Sequence, residues 1–243
     1  MDDAKGGAER VLSMISGEFV RRGHDVSLLT FDPPDGQSFY PLAPEIKRIS
    51  LGIGDTKRNA KWGETLSRIR AMRKTIKSEK PDVVIAFMHS MFVPMAFALI
   101  GTGIPVIASE HIVPAHYKGR PLQYVLLLAS SFFVQKITVL SEKIKQDYPA
   151  FMHKKMVAIT NPVCVPDIPV ERGAENKKRK IILTVGRLDP QKDQKTLIEA
   201  FAGIASECPD WDLRIVGDGD LRPALEKQIV DLGLENRKPS QSF

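Results

Sequence analysis

Short apolar runs alternate with helical patterns along most of this chain, and this alternation constrains the fold more than any other feature. Runs such as Pro105–Ser109 and Lys180–Val185 have the length and composition of buried strands. Stretches such as Trp62–Glu79 repeat apolar residues at helical spacing. Strands that alternate with helices pair in parallel, because each crossover needs a helix-length connection. The sequence therefore predicts an α/β fold of open parallel sheets covered by helices.

A change of composition divides the chain. Residues 161–178 hold several prolines and a charged run with almost no apolar periodicity, which is typical of a linker. We predict a Rossmann-like domain over residues 1–163, a linker over 164–178 and a second Rossmann-like domain over 179–243. No strand pattern precedes the glycine pair near the start, and about two βα units follow the linker. The pattern thus predicts a first domain without its first strand and an incomplete second domain.

Composition excludes several classes of protein. The 35 lysines and arginines against 29 aspartates and glutamates give a net charge of +6, which suits anionic partners without choosing among them. Cys164 and Cys208 are too far apart for a zinc motif, and the sequence has no RNA-binding or zinc-finger pattern, so no metal and no nucleic acid are expected. The apolar stretches Met91–Ile100 and Leu122–Val134 are shorter than the roughly 20 residues of a bilayer span and predict buried helices. A soluble cytoplasmic protein is expected.

The segment Ile181–Lys192 carries the clearest chemical signal. A β-branched run leads into Gly186, and Arg187 and Lys192 flank the turn before a helix. Helix N-termini and basic side chains both favour phosphate, Arg as a planar fork and Lys as a mobile point charge. The residues alone leave two interpretations open, namely a phosphate site or a solvated βα loop.

Six short motifs follow one another along the chain, and as a set their order and spacing are specific. They are Gly6–Arg10, Arg22–Val26, Ser109–His111, Thr160–Val163, Val185–Asp193 and Ile215–Gly219. This set resembles the GT-B glycosyltransferases, specifically the large retaining family 4 that uses nucleotide-sugar donors. The resemblance runs from Gly6 to about Arg237.

The resemblance implies a two-domain cleft with the acceptor in the first domain and the sugar nucleotide in the second. No metal or other cofactor is implied, and the donor would be a UDP- or GDP-sugar. The resemblance implies that His111 is the catalytic residue, which orients the sugar, and that Arg187 and Lys192 bind the donor diphosphate. It also implies two loops. The donor/acceptor loop contains Gly6 and Gly7, and the nucleotide-base loop contains Gly217, Asp218 and Gly219.

Plainer interpretations stay open for several of these residues. Gly6 and Gly7 also fit a flexible leader, and Gly217–Gly219 fits a common turn between strand and helix. His111 also fits a polar loop, and His89 ends a neighbouring strand pattern and competes for the same role.

A basic row on the helix predicted over residues 62–79 has two interpretations of its own. Arg70, Lys74 and Lys77 form either a solvated face or a contact with anionic membrane lipid. The second would suit an enzyme at the inner face of a membrane with a lipid-linked acceptor.

The expected function is transfer of a sugar from a nucleotide sugar to a glycan or lipid-linked acceptor, with retention, in polysaccharide biosynthesis. The family continues into a Glu-x-Phe-Gly segment and a second Glu that grip the sugar and ribose, and this sequence ends before them. The alternative is a non-catalytic glycosyltransferase remnant that serves as a binding or partner module.

Overall fold

The computed structural model describes residues 7–33, 38–53, 62–163 and 180–235. The chain divides into two compact units, Met1–Pro166 and Asp167–Phe243. The linker predicted over residues 164–178 lies outside the described residues.

The first unit contains six described strands and five described α-helices. The strands are β1 (Ser27–Thr30), β2 (Lys47–Ser50), β3 (Val84–Phe87), β4 (Val106–Ser109), β5 (Lys136–Val139) and β6 (Met156–Ala158). The helices are α1 (Gly7–Arg21), α2 (Trp62–Glu79), α3 (His89–Ala98), α4 (Pro121–Ser130) and α5 (Glu142–Asp147), with short 3₁₀ turns at Pro114–Tyr117 and Ala150–Met152. Strands β3, β4, β5 and β6 form one sheet in that order, and β1 pairs with β2. Every described strand pair is parallel, as predicted.

The core of the first unit is built by strands of the four-stranded sheet and by helices α2, α3 and α4. Met72 of α2 and Ala108 of β4 are completely buried, and Leu127 of α4 is nearly so. Burying one large apolar side chain contributes about 1.5–3 kcal/mol. This core holds the sheet whose strand ends carry the first group of candidate site residues. Its other buried members include Ile76, Phe92, Met95, Val106, Ile137 and Val139.

The second unit pairs β7 (Lys180–Val185) with β8 (Trp211–Val216) in parallel. Helices α6 (Gln194–Ile204) and α7 (Arg222–Asp231) follow the two strands. Their buried residues share a separate core that includes Ile198, Phe201, Leu213, Leu225 and Ile229. The predicted bounds of β7 agree with the observed ones.

Helix α3 begins at His89, two residues before the apolar stretch Met91–Ile100 that was predicted to be a helix. The cause is the residue before it, Met88, whose φ of 65° lies in the left-handed region. Such a backbone turns the chain sharply at the end of β3, so the helix starts at once. His89 therefore opens a helix rather than ending a strand.

Helix α4 differs from its prediction in a second way. We expected a buried helix over Leu122–Val134, but α4 ends at Ser130 and only part of it is buried. Leu127 packs in the core, whereas Leu122 is 62% and Val125 58% exposed. Apolar residues occur on all sides of this helix, so their spacing could not show which face is turned to solvent.

The turns after β7 and β8 continue the parallel pairing beyond the strands. The Gly186 N–H donates to the Val216 carbonyl at 3.0 Å, and the Leu188 N–H to the Asp218 carbonyl at 2.9 Å. A Cβ added to Gly217 would overlap the Gly186 carbonyl oxygen, and one added to Gly219 would overlap the Leu188 carbonyl oxygen. Both positions thus need glycine for close backbone contact.

Replacing Gly217 by alanine tests this contact. Gly217→Ala should lower the free energy of unfolding by about 2 kcal/mol, because the methyl group forces the two turns apart. The matched control is Gly203→Ala in α6, where a Cβ meets no atom within 4 Å. Alanine there should be neutral or stabilise the helix by about 0.5–1 kcal/mol. Urea unfolding followed by tryptophan fluorescence measures both, and equal stability of the two variants would contradict the proposed packing.

Candidate functional site

The carboxyl ends of β3, β4 and β5 bring the first group of candidate residues together. Phe87 pairs with Ser109, and Ser109 pairs with Thr138, so these three residues lie side by side on adjacent strands. Glu110 and His111 follow Ser109 directly, and His89 follows β3 after Met88. In open α/β sheets this edge is where ligands bind.

His111 is held by a short chain of hydroxyl groups. Its Nε2 lies 3.0 Å from the Ser109 Oγ, and the Thr138 Oγ1 donates to that Oγ at 3.0 Å. The Ser109 hydroxyl can either donate to Nε2 or accept from it, so both tautomers of the neutral ring are compatible with this contact. The ring also stacks on Phe87, with centroids 5.4 Å apart. Burial lowers the pKa of His111, which favours the neutral imidazole.

Glu110 fixes the loop that carries His111. It is 2% exposed, and its carboxylate accepts from the Ile112 N–H and from the Tyr117 hydroxyl, each at 3.0 Å. The Tyr148 hydroxyl donates to the Ile112 carbonyl at 3.2 Å. Burial raises the pKa of Glu110 to about 7, although these hydrogen bonds act in the opposite direction. A loop tied at three points by buried groups can present His111 in one orientation.

His89 belongs to the same edge but has different neighbours. Its ring packs edge-on against Tyr117, with centroids 5.3 Å apart, and lies 5.6 Å from the His116 ring. Its Nδ1 is buried without a hydrogen-bond partner among the described residues. Burial lowers the pKa of His89, and the nearby His116 and Arg120 add to the effect. The edge therefore holds two half-buried histidines, of which His111 is the one bonded to Ser109.

The second group of candidates lies in the turn between β7 and α6. Arg187 is 74% exposed on its side chain and pairs with Asp189 at 3.1 Å. The methylenes of Lys192 lie over Gly186, 3.8 Å from where a Cβ would stand, and Lys192 forms no ion pair with any described residue. The structure thus brings Arg187 and Lys192 onto one turn of the backbone, as predicted from their spacing.

Two further residues shape this turn. Gln194 is 3% exposed and donates through Nε2 to the Arg187 carbonyl at 2.8 Å, while its Oε1 has no partner among the described residues. Asp193 precedes α6 in a left-handed conformation, and its carboxylate accepts from the Thr196 hydroxyl instead of capping backbone N–H groups. The first turn of α6 therefore keeps backbone donors that favour an anion.

The predicted base loop lies against this turn. Gly217 and Gly219 contact the backbone of Gly186 and Leu188, and Asp218 pairs loosely with Arg222 at 3.8 Å. A shallow apolar depression borders Gly217 and is lined by Leu188, Ile215, Gly217, Arg222, Leu225, Glu226 and Ile229. Packing alone explains both glycines, and a role at a nucleotide base stays a prediction.

The predicted donor/acceptor loop, Gly6 and Gly7, is described only in part. Gly6 lies outside the described residues, and Gly7 is the first residue of α1 with open space beside its Cα. Within residues 7–33, 38–53, 62–163 and 180–235, no group of three His, Cys, Asp or Glu side chains has a metal-binding arrangement. None of the helices in these ranges combines the length and apolar content that a bilayer crossing requires.

Sequence reasoning missed several residues of both groups. Glu110 stood inside the Ser109–His111 motif, and only the histidine was singled out. Tyr117 and Tyr148 are separated from Glu110 by distances along the chain that follow no pattern, so no local signal marks them. Gln194 looked like an ordinary first residue of a helix.

Two family models match the chain, one for each unit. The model described as Glycosyltransferase Family 4 matches residues 5–165, and the model described as Glycosyl transferases group 1 matches residues 168–238. The chain belongs to the family 4-like glycosyltransferases. This membership confirms the resemblance that the six motifs suggested.

Curated relatives support this family 4-like assignment. The GalNAc-alpha-(1->4)-GalNAc-alpha-(1->3)-diNAcBac-PP-undecaprenol alpha-1,4-N-acetyl-D-galactosaminyltransferase of Campylobacter jejuni is 30% identical over 234 residues, which cover 95% of this chain and 63% of that protein. An uncharacterized glycosyltransferase of Haemophilus influenzae is 24% identical over 232 residues, which cover 95% of this chain and 64% of that protein. The chain thus spans a little under two thirds of the length of these relatives.

Solved structures agree in fold with this family 4-like chain. The apo form of the lipopolysaccharide outer core galactosyltransferase WaaB matches 99% of this chain and 66% of its own, with a TM-score of 0.70 and 20% identity. Anabaena HepE in complex with UDP matches 98% of this chain and 66% of its own, with a TM-score of 0.69 and 18% identity. Together with the parallel sheets, these likenesses confirm the predicted α/β GT-B fold class with Rossmann-like domains.

The buried carboxyl of Glu110 should make the stability of the protein depend on pH. Because its pKa is raised to about 7, its ionisation in the folded state costs stability as the pH rises from the ordinary glutamate range through 7. Glu110→Gln removes that ionisation. The free energy of unfolding of the wild type, minus that of the variant, should therefore fall by about 3 kcal/mol between about pH 4.5 and pH 8.

The pH-dependent contributions of His89 and His111 to stability are the same in wild type and variant. Taking the difference between the two proteins therefore removes them. The control is Glu207→Gln, an exposed glutamate beyond α6, whose stability should run parallel to the wild type. Chemical denaturation across this pH range measures all three proteins. A difference for Glu110→Gln that does not change with pH would show that the carboxylate ionises without cost.

Proposed function

We propose that the protein transfers a sugar from a nucleotide-sugar donor to a glycan or lipid-linked acceptor, with retention of configuration. The observation that carries the proposal is the turn between β7 and α6, where Arg187 and Lys192 share one stretch of backbone. Such a turn suits the diphosphate of the donor, whose charge grows as the glycosyl bond breaks. Retention rests on the resemblance to family 4.

The cations of this turn are available for a ligand. In the Arg187–Asp189 pair the arginine is exposed and the aspartate partly so, and an ion pair open to solvent contributes about 1 kcal/mol or less. A diphosphate with several charged oxygens competes well for the same guanidinium, because it can accept two parallel hydrogen bonds from the fork. Lys192 adds a second charge, and the backbone N–H groups at the start of α6 add donors that also favour an anion.

The first unit is proposed to bind the acceptor. His111, fixed by Ser109 and by the Glu110 loop, offers a neutral imidazole that can hydrogen-bond to a sugar hydroxyl. The Campylobacter jejuni relative is named for a substrate linked to undecaprenol through PP, which supports a lipid-linked acceptor. The structure of HepE with UDP supports a UDP-sugar donor, and a GDP-sugar stays the second choice. No metal or other cofactor is part of this proposal.

A place at the inner face of a membrane goes with such an acceptor. Arg70, Lys74 and Lys77 are all exposed along α2, and we propose that this basic row contacts anionic headgroups.

Replacing Arg187 tests the proposed diphosphate site. Turnover with a panel of UDP- and GDP-sugars should fall by about 10²-fold in Arg187→Ala, the loss typical of one transition-state donor. Titration calorimetry with the free nucleoside diphosphate should show weaker binding as well. The matched control is Arg214→Ala, an exposed arginine on β8, which should keep wild-type turnover and binding.

Two outcomes would contradict parts of this proposal. Unchanged turnover in Arg187→Ala would mean that the diphosphate is bound elsewhere. Nucleotide binding by the wild type without any donor consumption, over the whole panel and with lipid-linked acceptors, would favour the non-catalytic alternative.

A further inference from the structure

The turn between β7 and α6 contains carboxylates as well as cations. Residues 186–194 include Arg187 and Lys192 but also Asp189 and Asp193, so their formal charges cancel. A carboxylate at a diphosphate site repels the ligand and competes with it for the cations. The effect of each aspartate on the site therefore depends on which groups its oxygens contact.

The two carboxylates have different partners. The Asp189 Oδ2 lies 3.1 Å from the Arg187 Nη2. The Asp193 carboxylate instead accepts from the Thr196 hydroxyl at 2.9 Å. Lys192 has no carboxylate within ion-pair distance among the described residues. Of the two cations on this turn, it is thus Arg187 whose charge is opposed by a direct contact in the part of the chain that the structure describes.

Asp189 is fixed by the backbone of the turn. Its Oδ1 accepts from the Gln191 N–H at 2.9 Å, and its carbonyl accepts from the Lys192 N–H at 3.0 Å. The Asp189 side chain is 25% exposed, whereas that of Arg187 is 74% exposed. An exposed arginine side chain keeps much of its rotamer freedom. The carboxylate is therefore the fixed member of the pair, and the guanidinium is the member that can move to a ligand.

The contact between the two side chains is an ion pair without a directed hydrogen bond. Within the described residues no hydrogen bond joins the Arg187 guanidinium to the Asp189 carboxylate, although Nη2 and Oδ2 are close. A carboxylate that orients an arginine for its ligand typically accepts two parallel hydrogen bonds from the fork. The geometry therefore fits a competitor for Arg187 better than a group that orients it.

We propose that Asp189 is the internal counter-ion of the diphosphate site. It pairs with Arg187 while the site is empty, releases the guanidinium to the bound diphosphate, and pairs with it again as the nucleoside diphosphate leaves. Asp189 thereby weakens the binding of this product and speeds its departure, a step that limits turnover in many enzymes. This inference rests on the proposed function, because it takes the turn between β7 and α6 as the diphosphate site.

The expected size of the effect follows from the exposure of the pair. An ion pair open to solvent contributes about 1 kcal/mol or less, which corresponds to about fivefold in a dissociation constant. Removing the competing charge should therefore strengthen binding by up to about fivefold at low salt. At molar salt the screening length is about 3 Å, so most of this gain should disappear.

Titration calorimetry with UDP and with GDP tests the proposal on the full chain. Asp189→Asn removes the charge but keeps an oxygen that accepts from the Gln191 N–H, so the turn is retained. The variant should bind the nucleoside diphosphate about fivefold more tightly, and stopped-flow measurements should show dissociation slowed by a similar factor. A damaged turn would weaken binding instead. Uridine and guanosine, which lack the diphosphate, should show no difference between variant and wild type.

Asp193→Asn is the matched control, because it removes the same charge from the same turn without touching the partner of Arg187. Its gain in affinity should be clearly smaller than that of Asp189→Asn. A double-mutant cycle adds a second control. In the Arg187→Ala background, Asp189→Asn should change the dissociation constant little, because the pair that it breaks is already absent.

Asp189→Ser keeps the test decisive if Asp189→Asn folds poorly, since a serine hydroxyl can accept the same N–H. Equal gains in Asp189→Asn and Asp193→Asn would overturn the proposal, because the effect would then follow from net charge alone. Unchanged or weaker binding by a folded Asp189 variant would also overturn it, while weaker binding by Arg187→Ala would leave the proposed function standing. Wild-type binding by Arg187→Ala, or no binding of UDP or GDP by any of these proteins, would overturn the proposed diphosphate site as well.

Discussion

The parallel pairing of β3, β4, β5 and β6 is the interaction on which the rest of the first unit depends. Parallel strands send all their carboxyl ends to one edge, so residues far apart in sequence become neighbours there. The register places Phe87, Ser109 and Thr138 next to one another. The stacking of His111 on Phe87 and its hydroxyl chain through Ser109 both follow from that register. A shift of one residue would turn these side chains to the opposite face of the sheet.

The two units fix their loops by different physical means. In the first unit the loop after β4 is tied by side chains, with Glu110 and two tyrosines sharing a buried network. Such a network is stable only while every member has a partner, which makes it sensitive to protonation. In the second unit the turn after β7 is fixed by direct contact with the backbone of Gly217 and Gly219. That contact has no titrating group and depends on the absence of side chains.

The sequence was most informative where a local pattern determines the structure. The β-branched run before Gly186 predicted β7 at its observed bounds, and the spacing of Arg187 and Lys192 predicted that both lie on one turn. The order of strands and helices predicted parallel sheets, and hence which edge holds the candidate residues. These features depend on neighbours within a few residues, and periodicity records such neighbours well.

The same local patterns did not predict features that depend on tertiary structure. The left-handed backbone of Met88, which starts α3 early, is adopted by a residue type that seldom takes it. Tyr148 reaches the Glu110 loop from a different part of the fold, and nothing in its local sequence indicates this. The sequence did not predict which face of α4 is exposed, because apolar residues occur on all sides of this helix.

Apolar side chains exposed on and after α4, among them Leu122, Val125 and Phe132, should also affect how copies of the protein behave toward one another in water. At low ionic strength the net charge of +6 keeps molecules apart by long-range repulsion. At molar salt the screening length shrinks to about 3 Å, so the repulsion is lost while apolar attraction persists. Sulfate and phosphate strengthen that attraction further, because they are excluded from protein surfaces. We therefore expect the colloidal stability of this protein to fall with added salt, the reverse of a protein whose copies attract through opposite charges.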